Sequence, residues 1–218
     1  MVRLTINDFR LKKPFNSFNF YNSSNPFNIQ HSPFNISPML IAQEKRKTNI
    51  AEYILYMWQV EDLLRACSFN PALIESRLVR RFNADEKTSR QVAAWYNNLA
   101  LAMEKEHVQE RGHLQATTNL VNDLNEFHLK MIETAVDEQY MQLYRLNKPS
   151  INEFIQRAGG SLHNEVEACL NALYGVLMLK LKNAEITPNT KITVEGFGRM
   201  IGHLSARYIQ FENDDFEF

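Results

Sequence analysis

The stretch Asn49-Ile50-Ala51-Glu52-Tyr53-Ile54-Leu55-Tyr56-Met57-Trp58-Gln59-Val60-Glu61-Asp62-Leu63-Leu64-Arg65-Ala66 decides the fold class. Ile50, Ile54, Met57, Glu61 and Leu64 recur at three- and four-residue steps, with Tyr53, Val60 and Leu63 beside them. That period lines them along one stripe of an α-helix, expected from about Glu44 to Ala66. Only the acidic Glu61 breaks the apolar character of the stripe.

Upstream, the composition changes abruptly between Pro38 and Met39. Residues 1–38 contain no Ala, Glu or Gly, and Pro-Phe-Asn recurs at Pro14, Pro26 and Pro33. Phe9, Phe15, Phe18, Phe20, Phe27 and Phe34 are interleaved with Asn, Ser and Pro, and no period holds. The strongest helix formers are missing and turn formers abound, so 1–38 is expected to be a disordered extension. Either its aromatic residues dock on a surface, or the chain truly begins at Met39. The second reading is the expectation here, with a chain from Met39 fully stable.

Downstream, helix signals follow in series. Asn70-Pro71 offers an N-cap with Pro at the first helical position, opening a short helix to about Phe82. Asn83-Ala84-Asp85-Glu86 reads as a capping box before a helix that turns Val92, Trp95, Tyr96, Leu99 and Met103 inward. Gly112 ends that pattern. A helix from about His113 to Ala135 carries Thr117, Val121, Leu124, His128 and Met131. A shorter one, Asp137 to Leu146, is expected to stop at Pro149, and Ser150-Ile151-Asn152-Glu153 to cap another that ends at Gly159-Gly160. Asn164-Glu165-Val166-Glu167 opens the most apolar helix, to about Lys182. Thr187-Pro188 opens the last, aligning Phe197, Ile201, Leu204, Tyr208 and Phe211. Strand signals are nearly absent. The expected fold is all-α: a single-domain bundle, residues 39–211, of about four long helices with shorter ones alongside. Residues 212–218 form an acidic tail.

Charge excludes little. The chain carries −1 overall, with a basic extension balanced by an acidic remainder, so no global field favours nucleic acid or an anionic membrane. The longest apolar run, Leu173 to Leu179, is too short to span a bilayer. No signal-peptide pattern is present, and a cytoplasmic location is expected. Cys67 and Cys169 sit among apolar neighbours and read as small buried hydrophobes.

Four polar side chains fall on or beside apolar stripes: Glu61, His113, His128 and Glu167. A charge in such a position needs a partner, because losing a buried one costs about 3–5 kcal/mol. Should the helices of Glu61 and His128 face each other, the two would form a buried carboxylate–imidazole pair, and His113 or Glu167 would extend it toward a metal site. The spacing argues for structure instead. No Glu-x-x-His or His-Glu-x-x-His occurs, His128 suits a hydrogen-bonded core position, and Glu167 belongs to a capping box. No metal and no cofactor are expected. Gly196-Phe197-Gly198 lacks the third glycine of a dinucleotide loop. Gly198 and Gly202, four apart, fit close helix packing. Lys45, Arg46 and Lys47 at the start of the first helix would oppose its dipole, so either that helix begins near Thr48 or an anion faces the cluster. Arg77, Arg80 and Arg81 form a second basic face.

From Met39 onward the chain resembles an uncharacterised family of small bacterial helical proteins, known only as a domain of unknown function. Ile41-Ala42-Gln43-Glu44-Lys45-Arg46-Lys47, Asn49 through Tyr53 and Leu55 through Leu63 carry the resemblance. So do Gly112-His113-Leu114-Gln115, Leu124 with His128-Leu129, Glu167-Ala168-Cys169, Ala172 through Leu179, and Leu204-Ser205-Ala206-Arg207-Tyr208. It implies the all-α fold and a start at Met39, and no activity. Two functional expectations stand side by side. One is a non-catalytic module that binds a protein partner or itself, with Trp58, Trp95 and Tyr208 as interface aromatics. The other is a bundle enzyme or ligand binder built on Glu61 and His128.

Overall fold

The computed structural model describes residues 37–82 and 84–218. The expected disordered extension, up to residue 36, and Asn83 of the expected capping box lie outside the described residues. Eight α-helices and no strand occur among the described residues: α1 Pro38–Thr48, α2 Ile50–Ala66, α3 Pro71–Ile74, α4 Glu86–Lys105, α5 Gln115–Thr134, α6 Glu138–Ala158, α7 Glu165–Leu181 and α8 Pro188–Glu212. The fold is all-α, as the periodicity implies.

The helix expected from Glu44 to Ala66 is two helices broken at Asn49. Lys45, Arg46 and Lys47 therefore occupy the last turn of α1. Cations there complement the negative end of the dipole, so the cluster needs no anion to explain it. Lys45 also reaches forward to Glu52, 2.5 Å away. The compositional boundary at Met39 falls inside α1: the Ser37 carbonyl accepts from Ile41 N at 3.1 Å, and the Pro38 carbonyl accepts the buried Tyr56 hydroxyl at 3.0 Å.

Side-chain caps start several helices where expected. Asn70 accepts from Ala72 N and Leu73 N, Asn164 from Glu167 N and Thr187 from Thr190 N. The start of α4 is capped by Asp85, which accepts from Thr88 N at 3.0 Å and from the Thr88 hydroxyl at 2.7 Å. The helix expected from Asn70 to Phe82 widens after Ile74 into a π-turn, Glu75–Val79, and tightens into a 3₁₀ turn, Arg80–Phe82. Ile74, Leu78 and Val79 all enter the core by that route, while Arg77, Arg80 and Arg81 stay exposed.

Pro149 does not end a helix: α6 runs unbroken through it to Ala158. The carbonyl that proline leaves without a donor is that of Arg145, and both residues lie on the exposed face, where water can serve it. The helix stops instead at Gly159, in the left-handed conformation at φ 61°.

The described residues fall into two compact units. One contains residues 37–47 and Glu52–Thr118. Its core joins Tyr56, Met57, Val60, Leu64 and Cys67 to Ile74, Leu78, Val92, Tyr96 and Met103. The other contains Thr48–Ala51 and Asn119–Phe218. There α6, α7 and α8 pack on one another in pairs. Val166, Cys169, Leu170, Ile151, Phe197, Met200 and Leu204 are fully or almost fully buried. Ser205 of α8 accepts from Ala51 N at 2.9 Å, serving one of the free donors in the first turn of α2.

Close helix packing depends on Gly196 rather than on Gly198 and Gly202. A Cβ on Gly198 would make only ordinary contact with Leu173, and one on Gly202 would meet nothing within 4 Å. A Cβ on Gly196 would collide with Oδ1 of buried Asn147 on α6, whose Nδ2 donates to Leu143 O at 2.7 Å. Gly196→Ala is expected to destabilise the protein by about 1–3 kcal/mol, the range for overpacking, despite alanine's better helix propensity. Chemical denaturation checks this, and Asn147→Ala in the same chain should return most of the loss. An unchanged midpoint in the single variant would contradict the contact.

Candidate functional site: two histidine–carboxylate clusters

Glu61 and His128 belong to different units, and each has partners within its own unit. Hydrophobic period places a residue on a stripe without saying which element faces it.

Glu61 lies on α2 and is 1 % exposed. Its Oε1 accepts from Leu114 N at 3.1 Å, and its Oε2 accepts from His113 Nδ1 at 2.6 Å. The acceptor-only carboxylate assigns the ring proton to Nδ1. The His113 ring stacks on Trp58, one turn before Glu61, with centroids 4.3 Å apart and planes 15° from parallel. One turn after Glu61, Arg65 spreads over the same connection. Its Nε donates to Gln109 O at 3.2 Å, and its Nη2 donates to Val108 O at 3.0 Å and Gly112 O at 2.5 Å. Gly112 sits at φ 87°, a conformation glycine adopts without penalty. Glu106 Oε2 accepts from Gln115 N at 2.6 Å. Two carboxylates thus hold the free donors at the start of α5, where the dipole also favours negative charge.

His128 lies on α5 and is fully buried. Its Nδ1 bonds the Tyr140 hydroxyl, and its Nε2 is 3.5 Å from Glu165 Oε2. Nε2 and Oε2 are sealed from solvent and neither has a hydrogen-bond partner among the described residues. A phenol is a ready donor, and the Tyr140 hydroxyl can supply the proton of its bond to Nδ1. Lys148 bonds Glu165 and lies over the Tyr144 ring, 5.2 Å from its centroid. Tyr140 also stacks on His203. His203 Nε2 is 2.8 Å and Arg207 Nε 2.6 Å from Asp137 Oδ2, while Asp137 Oδ1 caps α6 by accepting from Tyr140 N at 2.8 Å. A polar chain therefore runs from Lys148 and Glu165 through His128 and Tyr140 to His203, Asp137 and Arg207.

Sequence reasoning missed most of this second cluster. Asp137, Tyr140, Tyr144 and Lys148 share one face of α6, and His203 and Arg207 share one of α8. Ending α6 at Leu146 cut Lys148 from its face. Glu167, the fourth expected candidate, joins neither cluster: its N–H bonds Asn164, and its Oε2 accepts from His163 N at 2.7 Å. Trp58 and Tyr208, expected as interface aromatics, are buried, and Trp95 is half-buried.

Electrostatics set the chemistry available. Burial works to raise the Glu165 carboxyl, but His128 and Lys148 outweigh it and hold it at about 2. Burial opposes the Asp137 carboxylate too, and His203, Tyr140 N and Arg207 bring it to about 2. Burial would lower the Lys148 ammonium, yet its bonds to Glu165 and Tyr144 keep it above the ordinary lysine value. Burial pushes the Tyr140 phenol and the Cys67 and Cys169 thiols upward. Each of these groups moves away from neutrality, toward a fixed charge or a fixed proton, the opposite of what a general acid, base or nucleophile requires. Among the described residues, no three His, Cys, Asp or Glu side chains are arranged to hold a metal ion. No helix among them is long and apolar enough to cross a membrane.

No curated protein and no solved structure matches the chain. A family model does, over residues 39–215, which takes in both clusters. The chain therefore belongs to the family described as the domain of unknown function DUF4924.

Proposed function

We propose that this chain is a non-catalytic interaction module that binds a protein partner or a second copy of itself. The observation that carries the reading is that its interior carboxylates are each committed to neighbouring groups. Glu61 and Asp137 are spent on backbone donors and neighbouring side chains, and Glu165 and Lys148 on each other and the rings beside them. The alternative built on Glu61 and His128 is the weaker reading, since each side chain already has partners within its own unit. Apolar surface is available for association: Leu129, Leu146, Ile192 and Phe211 are all well exposed. Light scattering across a concentration series, with affinity capture from the native cell, tests the reading. Self-association or a reproducible partner is expected. A strict monomer that captures nothing would overturn it.

A further inference from the structure

The C-terminal segment folds back on the second unit in a manner that identifies what its aromatic surface accepts. Phe127 of α5, itself buried, stands at the centre of a ring cluster. Tyr208 and Phe211 of α8 contact it at 5.5 and 5.4 Å between centroids, and Phe216 and Phe218 at 6.0 and 5.1 Å. Phe216 and Phe218 thus cover an aromatic surface, the Phe127 groove, made by Phe127 with Tyr208 and Phe211 beside it. Two cations frame it: Lys130 lies over the Phe218 ring at 5.6 Å and Arg207 over the Phe216 ring at 5.5 Å. The segment that fills it carries Asp214, Asp215 and Glu217 between and beside its two phenylalanines. Apolar shape and charge sign agree, as recognition of an acidic Phe-x-Phe sequence requires.

The hinge favours release. After α8, Asp215 N bonds Gln210 O at 2.8 Å and Asp214 N bonds Phe211 O at 3.2 Å, the paired bonds of a Schellman ending. That ending places a left-handed residue at its centre, usually glycine. Here it is Asp214, at φ 60°. The closed arrangement bears a backbone penalty that disappears if Asp214 returns to right-handed geometry and the segment swings out.

We infer that residues 213–218 of one copy seat in the Phe127 groove of a second copy, so that this segment is both the plug of the groove and the ligand for its neighbour. The inference rests on the self-association reading and gives it a surface. Exchange of a segment that already fits its own groove creates association without new complementarity. The copy's own segment lowers the apparent affinity for an incoming one by holding most grooves filled.

The test uses the full chain. Light scattering should show a dimer that grows with concentration. Phe216→Ala with Phe218→Ala should abolish it. Asp214→Gly, which relieves the hinge and leaves every ring in place, should weaken it on the order of ten-fold. A labelled peptide of residues 212–218 should bind the doubly substituted chain at least ten-fold more tightly than the wild type, whose grooves are filled. A dimer unchanged by the double substitution would overturn segment exchange while leaving self-association standing. Failure of the peptide to bind the doubly substituted chain would overturn the groove as the receptor. A wild type monomeric at every concentration would overturn the exchange, and affinity capture would then decide the interaction reading separately.

Discussion

Glu61→Ala is expected to destabilise the unit formed by residues 37–47 and Glu52–Thr118 by about 3 kcal/mol, more than any other single change near the first cluster. The loss has two parts. Leu114 N–H, at a residue only 5 % exposed, would have no acceptor for its proton. An unsatisfied buried donor costs about 1–3 kcal/mol. The His113 ring would lose its carboxylate partner and the force that presses it onto Trp58. Arg65 would keep its three carbonyls, so the connection should loosen at its His113 end while remaining fastened at Val108 and Gln109. Glu61→Gln separates geometry from charge. The amide oxygen can accept from Leu114 N, and the amide NH₂ can donate to His113 once the imidazole takes its other tautomer. The glutamine variant should therefore lose no more than about 1 kcal/mol. Urea unfolding measures the totals, and near-ultraviolet circular dichroism follows the Trp58 stack. Equal losses for alanine and glutamine would mean that the carboxylate itself, rather than its two accepting oxygens, is what the fold needs.

The same residue marks where sequence reasoning works and where it stops. Glu61 on an apolar stripe announces burial with a partner, because an unpartnered carboxylate there is too costly. The partner is His113, 52 residues away, and no period in α2 encodes that distance. Helix starts were legible at Asn70, Asn164 and Thr187 because a cap is a bond across two or three residues, written where it acts. Pro149 was misleading for the opposite reason. Whether a proline ends a helix depends on whether the carbonyl it orphans can reach water, and that is settled by which face the rest of the fold leaves open. Misplacing that one boundary cut Lys148 from the face it shares with Asp137, Tyr140 and Tyr144. Among the glycines, Gly198 and Gly202 have the spacing associated with close packing, but Gly196 has the neighbour. Proximity of Asn147 is a property of α6 against α8, and nothing local to Gly196 reports it.

Asp137→Ala should be the most damaging change in the other unit, at about 3 kcal/mol. It removes the cap of α6, for which losses of about 0.5–2 kcal/mol are typical. It also leaves Arg207 and His203 without the carboxylate they share, and because both are partly exposed and can be hydrated that loss is held to about 1–2 kcal/mol. Asp137→Asn keeps an oxygen for Tyr140 N and so should recover the cap but not the ion pair. Acid titration checks the same point independently. Asp137 and Glu165 ionise at about 2 in the folded chain, against ordinary values of 3.8 and 4.5. Their folded values are depressed, so the stability they confer is fully present above about pH 4.5. As pH falls from there the unfolded chain takes up protons first, stability declines, and the contribution is gone once pH passes below the folded value near 2. Each group should contribute on the order of 2 kcal/mol across that window. Denaturation curves between pH 5 and pH 2 should therefore show a steeper loss for the wild type than for Asp137→Asn, with Glu165→Gln flattening the remainder. Parallel acid limbs in wild type and Asp137→Asn would show that the Arg207–Asp137–His203 triad is not held by charge, and that α6 is anchored by its cap alone.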